Sequence, residues 1–126
     1  MGISSYRDLK VWQEAMTLAE QTYCLTSRFP KDEVYGMTSQ IRRSAVSIAA
    51  NIAEGHGREN SGSFIQFLRI AQGSVKELET HLLLSERVGL AKSDDVAPLR
   101  QRCDELGRMM RSLIRSIQRR QANDKS

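Results

Sequence analysis

The sequence predicts an all-α protein, an antiparallel up-down-up-down four-helix bundle, and three observations carry that expectation. Apolar residues recur at three- and four-residue intervals through four long stretches, the period of a helix with one buried face. Strand-like alternation never survives beyond about four or five residues. Turn-forming clusters interrupt the helical pattern at 29–36, 56–62 and 89–95, and connections that short set neighbouring helices antiparallel. The two prolines, Pro30 and Pro98, both fall where helices should begin. A single domain over 1–126 is expected, long enough to bury roughly two thirds of its unfolded surface.

The first helix is expected over about 8–27. Leu9, Trp12, Met16, Ala19 and Tyr23 form one seam along it. Val11, Ala15, Leu18, Thr22 and Leu25 form a second, turned from the first by roughly 120°. One seam suffices for a helix in a lone bundle, so two imply a wide core face or a second partner surface. The second helix, about 37–55, carries the apolar stripe Ile41, Ala45, Ile48 and Ile52. Around it stand Ser44, Ser47, Ala49, Ala50 and Ala53, too small to hold neighbours at the usual distance, so close packing on several sides is expected. Thr38 or Ser39 suits its N-cap. Gly55 and Gly57 are expected to stop it, because glycine takes the left-handed conformation of a helix C-terminus.

The third helix is expected over about 62–88, capped by Ser61 or Ser63, with Phe64, Phe67, Leu68, Ala71, Val75, Leu78 and Leu82 facing the core. The fourth opens at Ser93 and runs over about 94–120. Asp94 and Asp95 favour its positive N-terminal dipole, and Pro98 is tolerable near its first turn. Leu99, Cys103, Leu106, Met110, Leu113 and Ile117 are its core stripe. The polar tail 121–126 is expected to fray.

Composition narrows the function classes. No window resembles a membrane span, and the first ten residues lack the apolar run of a signal peptide, so a cytoplasmic chain is expected. Cys24 and Cys103 lie in apolar stretches and are expected to be two buried thiols rather than a disulfide. His56 and His81 stand apart, with no spacing that would build a zinc site, and neither a metal nor a cofactor is expected. A net charge of +4 and a pI near 9.4 permit contact with nucleic acid or acidic partners without requiring it.

Two polar rows stand out. Arg108, Arg111, Arg115 and Arg119 step by three, four and four along the last helix, within roughly an 80° arc pointing away from the core stripe. They make either a phosphate-binding rail or a solvated face, and the scarcity of nearby acids leaves both readings open. On the second helix, Gln40, Arg43, Ser47, Asn51 and Glu54 form the other row. Hydrogen bonds and an ion pair at a helix or subunit contact explain that row better than catalysis does. Glu77 and Glu79 are candidate partners for Arg42 or Arg43. The run Gly55-His56-Gly57-Arg58 lacks phosphate-loop spacing, although Arg58 could assist anion binding at the next helix N-terminus. Trp12 reads as a packing residue. No nucleophile, base and orienting acid stand in a recognisable pattern, and the chain is expected not to be an enzyme. A hydrolase using Glu54 or Glu77 ranks lowest.

The chain resembles the four-helix-bundle proteins encoded within intervening sequences of bacterial large-subunit ribosomal RNA genes. The resemblance rests on Leu9-Lys10-Val11-Trp12-Gln13, Phe29-Pro30, Glu33, Tyr35-Gly36, Ser39-Gln40-Ile41-Arg42-Arg43, Val46-Ser47-Ile48 and Asn51-Ile52-Ala53-Glu54-Gly55. It continues through Phe64, Phe67-Leu68, Ala71, Gly73-Ser74 and Glu77-Leu78-Glu79-Thr80. Many relatives carry a proline where Ala49 and Ala50 stand here. The resemblance implies a homopentamer. It also implies similarity to the accessory protein of diversity-generating retroelements, which binds reverse transcriptase and nucleic acid through a basic surface. The expected function is therefore a non-enzymatic oligomeric module contacting RNA or DNA. The alternative is a protein-only scaffold or adaptor.

Overall fold

The computed structural model describes residues 5–125. Four helices, α1 (Lys10–Thr26), α2 (Met37–Gly57), α3 (Ser61–Arg87) and α4 (Ser93–Lys125), account for nearly all of them, with 3-10 turns at Tyr6–Asp8 and Lys31–Glu33. Each helix packs on the next, and α4 closes the bundle against α1. Their inner faces share one core, in which Leu18, Ile41, Ile48, Ile52, Leu68, Leu78, Leu82, Leu106 and Met110 are fully buried. On α4, Ile114 takes the buried position expected of Leu113, which is half-buried.

This core consumes the whole of one α1 seam and, from the other, buries only Leu9. Val11, Ala15, Leu18, Thr22 and Leu25 are buried, whereas Trp12 and Ala19 are half-buried and Met16 and Tyr23 are exposed. Trp12 packs edge-on against Tyr6, with ring centroids 5.3 Å apart, at the rim rather than in the core. Cys24 is also exposed, contrary to the expectation of two buried thiols.

The helix ends differ from the sequence expectation. Neither Thr38 nor Ser39 caps α2. Thr38 is buried inside the helix, and Glu33 Oε1 reaches forward to accept from the Met37 amide at 3.1 Å. Asn60, rather than Ser61 or Ser63, caps α3 by accepting from the Ser63 amide at 3.0 Å.

Gly55 does not stop α2, which continues through Gly57. A Cβ on Gly55 would lie 2.6 Å from Phe67 Cβ and 3.2 Å from Phe64 Cδ1. The missing side chain serves close approach of α3, leaving Phe64 and Phe67 half-buried over it. The left-handed residue in the α2–α3 turn is Glu59, with φ 57°. A left-handed glycine does end α3: Gly89 has φ 84°, and the Leu90 amide bonds back to the Ser85 carbonyl at 2.9 Å, a Schellman ending.

Pro98 stands in the second turn of α4, where its ring nitrogen withholds the hydrogen bond due to the Asp94 carbonyl. That helix runs on through Lys125, past the point where fraying was expected to begin. The segment 118–122, Gln-Arg-Arg-Gln-Ala, is made of strong helix formers. Ser126 lies outside the described residues.

Candidate nucleic-acid interface

The arginines of α4 sit where the helical period places them. Arg108, Arg111, Arg115 and Arg119 are all exposed, opposite the face that buries Leu106, Met110, Ile114 and Ile117. Eleven helical steps from Arg108 to Arg119 carry the row over about 16 Å, roughly the rise of five nucleotides along one strand. Among the described residues, no carboxylate lies within ion-pair distance of any of the four. Of the ion pairs that do form among the described residues, Arg28–Asp95, Glu54–Arg58 and Glu14–Arg102 involve none of the rail, and Lys76–Glu79 lies on α3 beside it.

Beside the rail, α3 and α4 part to leave a groove of about 400 Å³. Arg108 and Arg111 line one wall with Asp104 and Gly107, and Gln72, Gly73 and Lys76 line the other. Of these α3 residues, Gly73 enters the sequence reading only through the family resemblance, and Gln72 and Lys76 do not enter it. Lys76 lies some thirty positions from the rail, and only the packing of two helices brings it alongside. Cys103 closes the floor. Burial pushes its thiol up to about 12, and the carboxylates of Glu79 and Asp104 add to the shift, so it stays a neutral apolar filler.

The polar row of α2 is divided by the structure. Ser47 lies on a seam between α2 and α3, its Oγ meeting Ser74 Oγ at 2.9 Å, and within α2 Asn51 Nδ2 donates to the Ser47 carbonyl at 2.8 Å. Ser44 joins that seam, its hydroxyl 2.6 Å from Glu77 Oε1. Glu77 therefore serves Ser44, and Glu79 serves Lys76, rather than Arg42 or Arg43. Gln40 and Arg43 are exposed. Glu54 pairs with Arg58 at 3.7 Å, and the Arg58 guanidinium also lies 5.1 Å from the Phe67 ring. Arg58 thus stands in the α2–α3 connection, held by local contacts. Arg42 stacks on Tyr23 at 4.4 Å and donates through Nε to Thr26 Oγ1 at 2.8 Å, tying α2 to α1.

A second groove, of about 600 Å³, follows the unburied seam of α1. Trp12, Met16, Ala19 and Tyr23 form its α1 wall, and Val46, Ala49, Ala50 and Ala53 form its α2 wall. The small residues of α2 thus do two things: Ala45 and Ala49 are buried, while Ala50 faces outward. On α3, Ile70, Leu84 and Val88 are also exposed and share one helix face. Among the described residues, no cluster of His, Cys, Asp and Glu could hold a metal ion, and no helix is long and apolar enough to cross a membrane.

Comparison with known proteins places these features in context. Residues 7–112 match the family described as 23S rRNA-intervening sequence protein. That span takes in Arg108 and Arg111, while Arg115 and Arg119 lie beyond it. The fold is similar to a solved structure from Bacteroides thetaiotaomicron VPI-5482, a protein of unknown function from the S23 ribosomal protein family. The two share 25% identity and a TM-score of 0.74, over 82% of this chain and 97% of that one. None of the curated proteins matches.

Proposed function

The chain belongs to the 23S rRNA-intervening sequence protein family, and from that premise we propose that it is a non-enzymatic, oligomeric nucleic-acid-binding module. The observation that carries this reading is the α4 rail, four exposed arginines with no acidic partner among the described residues. Arginine's planar fork suits phosphate oxygens, and each contact releases condensed counterions from the nucleic acid. Arg58, at the α2–α3 connection, is a secondary candidate whose pairing with Glu54 must yield first.

Self-association is supported by the groove between α1 and α2. Met16, Tyr23 and Val46 are 37%, 44% and 46% exposed along it, and contiguous apolar surface of this kind marks interaction sites. Leu84 and Val88, one turn apart on α3, add exposed apolar surface on a helix that does not line this groove, so a copy that seats one patch against the other makes a head-to-tail contact. Such contacts close into rings when the rotation permits, and five copies is the number the family resemblance implies. A ring repeats the rail, so weak phosphate contacts act together through effective concentration.

Replacing Arg111, Arg115 and Arg119 together by Gln tests the reading. Gln keeps helix propensity close to that of Arg, so helicity and oligomer state should persist. Fluorescence anisotropy on RNA and DNA should give weaker binding, with a logarithmic salt slope flatter by up to about 2.7 per engaged chain on duplex. Sedimentation of the wild type should give a mass well above the 14.3 kDa chain. Undetectable binding at low salt, or an unchanged slope in the triple variant, would move the assignment to a protein-only scaffold.

A further inference from the structure

The groove between α3 and α4 has features that phosphate binding does not explain. Resting on the nucleic-acid reading above, we propose that it holds one unpaired guanine base of a single-stranded nucleic acid whose backbone runs along the rail.

Shape is the first argument. Gly73 and Gly107 stand in helix interiors, where glycine weakens a helix relative to alanine. Neither is required by packing. A Cβ on Gly73 would meet nothing within 4 Å, and one on Gly107 would meet only Arg111 Nη1, at 3.8 Å. Gly55, by contrast, has a reason in the fold. What the two missing side chains do is widen the groove, one on each wall, to about 400 Å³, room for a flat heterocycle.

Charge is the second. Asp104 lines the groove among Lys76, Arg108 and Arg111, and among the described residues it has no ion-pair partner. A site meant for phosphate alone is weakened by a carboxylate, which repels the ligand. A site for a base is improved by one. Guanine's Watson–Crick edge presents N1–H and N2–H side by side, matching two carboxylate oxygens. Adenine and cytosine offer a single amino group there, and uracil a single N–H. In a duplex this edge is consumed by pairing, so the groove selects an unstacked, single-stranded base. Arg108 and Arg111, which line the groove, carry planar guanidinium groups on which a base can stack, and the Gln72 amide offers a second polar contact.

Anisotropy with three probes tests the proposal: a uridine octamer with one central guanosine, the all-uridine octamer, and a duplex of equal length. Wild type should bind the guanosine octamer about tenfold more tightly than all-uridine. Asp104→Asn should abolish that preference while strengthening all-uridine binding, because a repelling charge is gone. Gly73→Leu with Gly107→Leu should also abolish it, leave duplex binding unchanged, and keep the thermal midpoint at or above wild type. Equal affinity of wild type for the two octamers overturns this proposal and leaves the rail reading intact. An Asp104→Asn variant that strengthens both octamers equally overturns it in the same way. Failure of all three probes to bind overturns both readings.

Discussion

Replacing Gly55 by Ala isolates the contact between α2 and α3 that the whole bundle is built around. In a helix interior, Ala is favoured over Gly by about 0.8–1.0 kcal/mol, so on propensity alone the variant gains stability. The structure reverses the sign. The new Cβ would stand 2.6 Å from Phe67 Cβ, about 1 Å inside the optimal carbon–carbon separation. Phe67 Cβ is fixed to the α3 backbone, so no rotamer change relieves the clash and the helix itself must move. Overpacking costs about 1–3 kcal/mol, and a clash that no rotamer relieves belongs to the upper half of that range, leaving a net loss on the order of 1–2 kcal/mol, or a thermal midpoint lower by roughly 3–10 °C. Gly57→Ala is the control, because a Cβ there meets nothing within 4 Å; Gly57 is the last residue of α2, so a gain smaller than the interior value is expected, with no clash to offset it. Thermal and urea unfolding followed by circular dichroism, at matched protein concentration, gives both values. A Gly55→Ala variant as stable as wild type, or two glycine variants shifting in the same direction, would refute the close-approach argument.

Other expected outcomes follow from single contacts. Asn60→Ala removes the side chain that holds the Ser63 amide and should lower unfolding free energy by about 1 kcal/mol, with Asn60→Ser close to wild type. Native protein should react with one equivalent of a thiol reagent, at exposed Cys24, and unfolded protein with two. Because the Cys103 thiol is raised from 9.0 to about 12 by burial, the unfolded chain loses its proton first. Its contribution to stability is therefore complete below about pH 9 and is lost as pH rises toward 12, an alkaline component that Cys103→Ala should lack in a pH series of urea melts. Ala49→Leu places bulk at a buried position and should cost about 1–3 kcal/mol. Ala53→Leu intrudes on the apolar groove and should alter sedimentation more than the monomer's fold, while Ala122→Leu, exposed near the chain end, should change neither.

Most of the bundle was legible in the sequence because helical periodicity is a local property. The pattern of Ile41, Ala45, Ile48 and Ile52 requires only that the segment be helical and one face buried, and those four residues are buried. The rail was legible for the same reason: its arginines follow from the phase of the apolar stripe on their own helix. Caps were harder. Glu33 and Asn60 satisfy helix-end amides from outside the positions where small polar residues invited assignment, and several nearby side chains were chemically able to do so.

What the tertiary structure decided is everything that depends on how one helix is turned toward another. Both seams of α1 were visible from spacing, but only packing against α2 and α4 selects the Leu18 seam for burial and leaves the Trp12 seam as a groove wall. Gly55 carried the local signature of a stop, since propensity cannot distinguish a glycine that ends a helix from one that lets another helix come close. The groove that joins Lys76 and Gln72 to Arg108 and Arg111 exists in no single segment. Periodicity fixes the phase of each helix about its own axis, whereas a site between two helices depends on their relative rotation and separation, which only the packed core sets.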